Sequence, residues 1–151
     1  MKKLILGFAL IAFIGSVNAQ QSKGDWFIGG SVDAATSSWS DWSLAPNVGI
    51  CVADNWAIGG SFDLATGGAS DAMSLDVWTR YFFGGMYAST GFGMGLSDGS
   101  DATTSVMVGL GKMFYWGDHL YIDPNLGFTM DHDGTDATKA LSLGIGLGLK
   151  F

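Results

Sequence analysis

The sequence has no glutamate, one arginine, one cysteine and two prolines among its 151 residues. Each scarcity excludes something. The single cysteine, Cys51, rules out an internal disulfide framework. Every acid is aspartate, and the formal net charge of −7 speaks against nucleic acid as a partner. Apart from Leu4–Ile14 there is no long apolar run, and that run falls short of the ~20 residues a spanning helix needs. Glycine is abundant, but it recurs at every second position, which excludes a collagen-like repeat. Gly91-x-Gly93-x-Gly95 and Gly144-x-Gly146-x-Gly148 are not a nucleotide fingerprint, because no helical pattern follows either of them.

What the chain does have is alternation. At the C-terminus Leu141, Leu143, Ile145, Leu147, Leu149 and Phe151 share one strand face. Ser142, Gly144, Gly146, Gly148 and Lys150 share the other. Eight such segments can be laid down: 25–34, 42–53, 56–65, 73–83, 86–96, 103–115, 120–130 and 141–151. Asp54-Asn55, Gly84-Gly85 and Gly117-Asp118 mark short turns. Thr36–Asp41, Thr66–Ala72, Ser97–Ala102 and Asp131–Thr138 are longer polar loops. Short turns at one end and longer loops at the other suit a transmembrane barrel. Evenly spread apolar residues also account for a mean hydropathy of +0.29 without any membrane helix. Pro46 and Pro124 each remove a ladder donor and are expected to mark bulges.

The faces differ in charge, and this orients them. Asp33, Asp63, Asp76, Arg80, Asp123 and Lys150 fall on the small-polar face. The apolar face carries Lys112 as its exception, near a strand end where it can snorkel. A soluble carrier barrel would turn the apolar face inward, forcing Phe62, Tyr81, Phe92, Phe114 and Phe128 into a lumen that eight strands barely leave open. The apolar face is therefore expected outside, against lipid. Trp26, Trp56, Phe83, Phe114 and Phe151 then form a girdle at the short-turn end. Inside, Arg80 is expected to centre an ion network with Asp76, Asp33, Asp63, Asp123 and Lys150, since a guanidinium can fork to several carboxylates. The network reads as a polar filling of the lumen; an ion or proton path is its functional alternative.

Lys2-Lys3, the apolar run and Val17-Asn18-Ala19 have the form of a secretory signal peptide over residues 1–19, with the mature chain from Gln20. Together with the eight segments, the loop asymmetry and the terminal Phe151, it resembles the small bacterial outer-membrane β-barrels, such as the membrane domain of outer membrane protein A. The resemblance implies an all-β, eight-stranded antiparallel up-and-down barrel over residues 20–151, in the outer membrane of a Gram-negative-type bacterium. It also implies outer-membrane lipid as surroundings and recognition of the strand ending in Phe151 by the barrel-assembly machinery. It does not name an extracellular partner, because barrels of this family serve different roles.

No catalytic residue, cofactor site or metal site is expected. Asp131–Asp136, with His132, is the sharpest site candidate. An acyl hydrolase needs a nucleophile placed beside its His, and no His-x-Ser pattern occurs. The aspartate spacing resembles a calcium loop but lacks the closing Glu. A non-enzymatic structural or surface-interaction barrel is the first reading. A narrow porin-like channel is the alternative, and a lipid-modifying enzyme using His132 comes third.

Overall fold

The computed structural model describes residues 21–33, 45–65, 72–97, 102–132 and 136–151. The segments 1–20, 34–44, 66–71, 98–101 and 133–135 lie outside this description. The expected signal peptide and most of the four long loops fall there.

The described residues form β1 (Trp26–Asp33), β2 (Ala45–Ala53), β3 (Trp56–Ala65), β4 (Ala72–Phe83) and β5 (Met86–Ser97). They continue as β6 (Thr103–Gly111), β7 (Phe114–Trp116), β8 (Leu120–His132) and β9 (Ala137–Lys150). Each strand pairs antiparallel with its neighbours. β1 pairs with β9, from Phe27 opposite Lys150 to Asp33 opposite Gly144, and this closes the sheet. β6 and β7 both pair with β8 and are two parts of one stave. The architecture is thus a closed barrel of eight antiparallel staves. Closure leaves no strand edge to be satisfied by water.

The turns follow from their residues. Phe83 pairs with Met86 across Gly84 and Gly85, which have φ of 54° and 81°. Two positive φ values in succession make the hairpin turn whose twist matches the flanking strands, and glycine adopts them without a Cβ clash. Asn55 takes φ 63° in the β2–β3 turn, a conformation that Asn tolerates better than most residues.

The break between β6 and β7 lies opposite Pro124. The β6–β8 register ends at Gly111 opposite Asn125 and resumes in β7 at Phe114 opposite Ile122. Lys112 N–H donates to the Pro124 carbonyl at 3.1 Å, but Pro124 has no N–H to return. The ladder therefore lapses opposite Pro124, but its register is the same on both sides of the gap, so the bulge expected there is not formed. Nor is the one expected at Pro46, which stands in register opposite Gly30 of β1. In β2 the register shift falls at Cys51–Ala53, beside the turn.

That break overturns the placement of Lys112. Outside the ladder, Lys112 and Met113 no longer alternate, and both are buried, with Lys112 only 1% exposed. Its Nζ lies 4.9 Å from the centre of the Phe114 ring, so it does not snorkel outward. Phe114 itself is only partly exposed. Trp116, which the sequence assigns to the turn, pairs with Leu120 and is 75% exposed, so it replaces Phe114 in the girdle. Trp26, Trp56, Phe83 and Phe151 are exposed as expected.

Elsewhere the faces fall as the alternation demands. Leu75, Val77, Val106, Leu110, Ile145 and Leu147 stand on the outside, exposed. The buried cluster inside comprises Phe27, Cys51, Ala57, Phe82, Tyr87, Met113 and Tyr121. Cys51, Ala57, Phe82, Tyr87, Met113 and Tyr121 lie within a few residues of the short turns, and Phe27 pairs with Lys150 at the same end, so the packed core occupies that half of the barrel.

The face assignment carries a test. Val48→Arg and Leu110→Arg place a charge on the outer belt near mid-strand, and each is expected to destabilise the barrel in lipid vesicles by about 2–4 kcal/mol. Denaturant titration of vesicle-folded protein measures it. Unchanged folding of Val48→Arg would show that this face does not meet lipid.

Candidate functional site

The lumen is the candidate site, and its lower half is built from rings. Tyr115 and Tyr121 have ring centres 6.3 Å apart, Tyr121 and Phe27 6.2 Å, Phe27 and Phe82 6.1 Å, and Phe82 and Tyr87 5.6 Å. Five rings from β7, β8, β1, β4 and β5 therefore run across the short-turn end. Glycines make room for them. A Cβ on Gly29 or Gly148 would strike the Tyr121 ring system, and one on Gly111 would strike Tyr87. The inward glycines, which read in sequence as an empty wall, are where the tyrosines lie flat.

Tyr87 links the rings to charge. Its hydroxyl donates to Asp123 Oδ1 at 2.7 Å, while Arg80 Nη1 donates to Asp123 Oδ2 at 3.1 Å. The guanidinium lies 4.4 Å from the Trp78 ring centre and 4.6 Å from that of Tyr87, within cation–π range of both. Both partners of the ion pair are largely shielded, with side-chain exposures of 16% and 4%. Asp123 therefore has each oxygen occupied, and Arg80 has two aromatic faces beside it.

Among the described side chains, Lys150, Asp76 and Asp63 of the expected network have partners or surroundings other than Arg80. Lys150 pairs with Asp25 at 2.7 Å at the short-turn mouth. Asp76 receives the Ser61 hydroxyl at 3.2 Å. Asp63 lies opposite Ser74, and its Oδ1 is buried without a protein hydrogen-bond partner. Asp33 closes β1 opposite Gly144, and its side chain is outside the described part. The structure brings together Arg80 and Asp123, adds Tyr87 and Trp78, and leaves the other carboxylates nearer the long-loop end.

Above the ion pair a cavity of about 200 Å³ is lined by Asn47, Ser61, Asp76, Arg80, Asp123 and Asn125, among others. At about 30 Å³ per water it has room for roughly six or seven. It is smaller than the ~300–1,000 Å³ usual for small-molecule pockets.

The Asp131–His132 candidate is divided by the strand itself. Both residues belong to β8, where neighbours point to opposite faces. Asp131 is half-buried opposite Ser105, and His132 is exposed opposite Thr104. Residues 133–135 of that loop lie outside the described ones. Among the described residues no three His, Cys, Asp or Glu side chains are grouped to hold a metal ion. His119 has a structural place. Its Nδ1 donates to the Lys150 carbonyl at 2.8 Å, and its ring lies 5.9 Å from that of Phe151.

No protein-family model matches the chain, and no curated protein matches its sequence. Solved structures do match in shape. The fold is that of a small transmembrane β-barrel. The N-terminal β-barrel domain of Pseudomonas aeruginosa OprF superposes with a TM-score of 0.61 at 15% identity, covering 87% of this chain and 100% of that one. A de novo designed transmembrane β-barrel gives 0.54 at 12% identity, over 87% and 99%. The Yersinia pestis outer membrane protein Ail in a phospholipid nanodisc gives 0.51 at 15%, over 87% and 100%. At such identities the likeness is one of fold.

Two features escaped the sequence reading. The first is the ring chain. Phe27, Phe82, Tyr87 and Tyr121 all sit on the inward register beside short turns, and that was the available signal. The second is Gln21, 1% exposed, whose Nε2 donates to the Tyr115 hydroxyl at 2.6 Å. It precedes the first strand, where no periodicity marks it.

Arg80→Met leaves Asp123 buried with no cationic partner. Removing one member of a buried pair costs about 3–5 kcal/mol. Denaturant unfolding in detergent is expected to register a loss of that size. The double variant Arg80→Met/Asp123→Leu is expected to recover most of it, because the lone charge is gone. A single variant as stable as the parent would show that water, not Arg80, compensates Asp123.

Proposed function

We propose that the chain is an exported, integral outer-membrane β-barrel with a structural or surface-interaction role and a lumen plugged by its own side chains. The observation that carries this reading is the inverted packing: a continuous apolar outer belt around a lumen filled by five rings and an ion pair. An exposed belt of this kind is stable only against hydrocarbon. Likeness in fold to barrels such as the outer membrane protein Ail supports the compartment. Residues 1–19 then act as the cleaved signal peptide, and the mature chain starts at Gln20. The strand ending at Phe151 presents the chain to the assembly machinery of a Gram-negative-type bacterium.

The role is non-enzymatic. His132 and Asp131 stand on opposite strand faces, so among the described residues this pair does not supply the base and orienting acid that acyl transfer needs. The 200 Å³ cavity is what favours the second reading, a narrow channel. For ions to pass, the ring chain below it would have to part.

Planar-bilayer recording distinguishes the two. Folded protein, verified by a shift in gel migration on boiling, is expected to show no discrete conductance steps. Steady single-channel steps would put the narrow pore ahead of the plugged barrel. Deleting Phe151 removes the terminal aromatic, whose N–H and C=O both bond to Trp26 at 2.9 Å. Less heat-modifiable protein in the outer membrane is expected, and parental levels would count against an assembly role.

A further inference from the structure

Residues 21–25 belong to no strand, yet they reach across the short-turn mouth. Gly24 turns the chain there with φ 96°, a conformation suited to glycine. On one side the segment grips the β2–β3 turn. Asn55 N–H donates to the Gln21 carbonyl at 2.9 Å, Gln21 N–H to Asn55 Oδ1 at 3.3 Å, and Lys23 N–H to Asp54 Oδ1 at 3.0 Å. Gly24 N–H donates to the Cys51 carbonyl, and Cys51 N–H to the Asp25 carbonyl, both at 2.8 Å. On the far side Gln21 reaches Tyr115 of β7, and Asp25 holds Lys150 of β9. Asp25 Oδ2 also accepts from Ser22 N–H at 2.8 Å, which ties the segment to its own anchor.

We infer that residues 21–25 are a releasable stopper of the short-turn mouth, seated on Cys51 and latched by Tyr115 and Lys150. The stopper differs from the staves in what holds it. Each stave pairs with a neighbour on both sides and has an apolar outer face. Among the described residues the stopper is held by single hydrogen bonds and one ion pair rather than by a ladder, and Gln21 is its one buried residue. Segments held by few contacts open well before the global fold does. The stopper can therefore leave while the barrel stays closed. Its release bares the lower lumen, where Cys51 is 1% exposed when the stopper is seated. This goes beyond the plugged-barrel reading: the ring chain closes the lumen permanently, whereas the stopper closes only the space beneath it.

Cys51 is the only cysteine in the chain, so it reports on the mouth without engineering. The experiment is the labelling rate of Cys51 by a charged maleimide on refolded protein in detergent. The parent is expected to label slowly. Asp25→Ala cuts the Lys150 latch, and Tyr115→Phe cuts the Gln21 latch. Each is expected to speed labelling about tenfold, the factor that loss of one or two hydrogen bonds gives. The heat-modifiable band is expected to be unchanged, which separates opening of the mouth from unfolding. Hydrogen exchange on the parent covers the case in which a variant fails to fold. The amides of Gly24 and Asn55 are expected to exchange faster than those of Gly59 and Trp78 in the β3–β4 ladder. Fast labelling of the parent would overturn the stopper. So would folded variants that label no faster than the parent, or equal protection at all four amides.

Discussion

In a closed barrel of eight staves each side chain has two places to go, and the inner one has little room. This constraint governs the rest of the structure. Period-two alternation sends the bulky aliphatic residues out, so the inside must be filled from what remains. What remains is glycine, serine, a few charges and a small set of rings. The rings cannot be spread evenly, because each needs a facing wall without side chains. Tyr121 finds one at Gly29 and Gly148, and Tyr87 at Gly111. Glycine and aromatic positions are therefore one feature, and together they place the packed half of the lumen at the short-turn end.

The charged pair is set by the same shortage of space. Once Tyr87 and Trp78 occupy the wall, Arg80 has its two ring faces and Asp123 within reach. Asp76 takes Ser61 instead, and Lys150 takes Asp25 at the mouth. A sequence shows which charges face inward, because parity decides that. It does not show height along the lumen relative to the rings, and height decides which charges meet. The expected single network became separate contacts for this reason.

Where the reading rests on parity and turn chemistry it carries over nearly unchanged. β3 covers Trp56–Ala65 as expected, and the Gly84-Gly85 hairpin falls where its dipeptide placed it. It fails at Lys112, where parity does not hold. Pro124 on the neighbouring stave cannot return a hydrogen bond, the ladder lapses, and Lys112 and Met113 both turn in. The cause lies on a different strand, so no local pattern around Lys112 records it. Neither proline shifts the register, since Pro46 pairs with Gly30 and Pro124 with Ile145 on their intact sides. The segment before β1 escaped because its order comes from side-chain and main-chain hydrogen bonds, which leave no periodic trace.

The likeness to a designed barrel at 12% identity bears on where function can lie. A likeness of fold at that identity does not settle an activity. The residues that the pattern does not require are the informative ones. An apolar lumen filling would serve the fold as well as the Arg80–Asp123–Tyr87 contact, which costs desolvation. The segment 21–25 adds no stave. The half-buried Asp63, Asp76 and Asp131 lie in the strand halves nearer the long loops, while the rings lie at the other end. The two ends of the lumen are thus built differently, one packed with rings and the other lined with carboxylates.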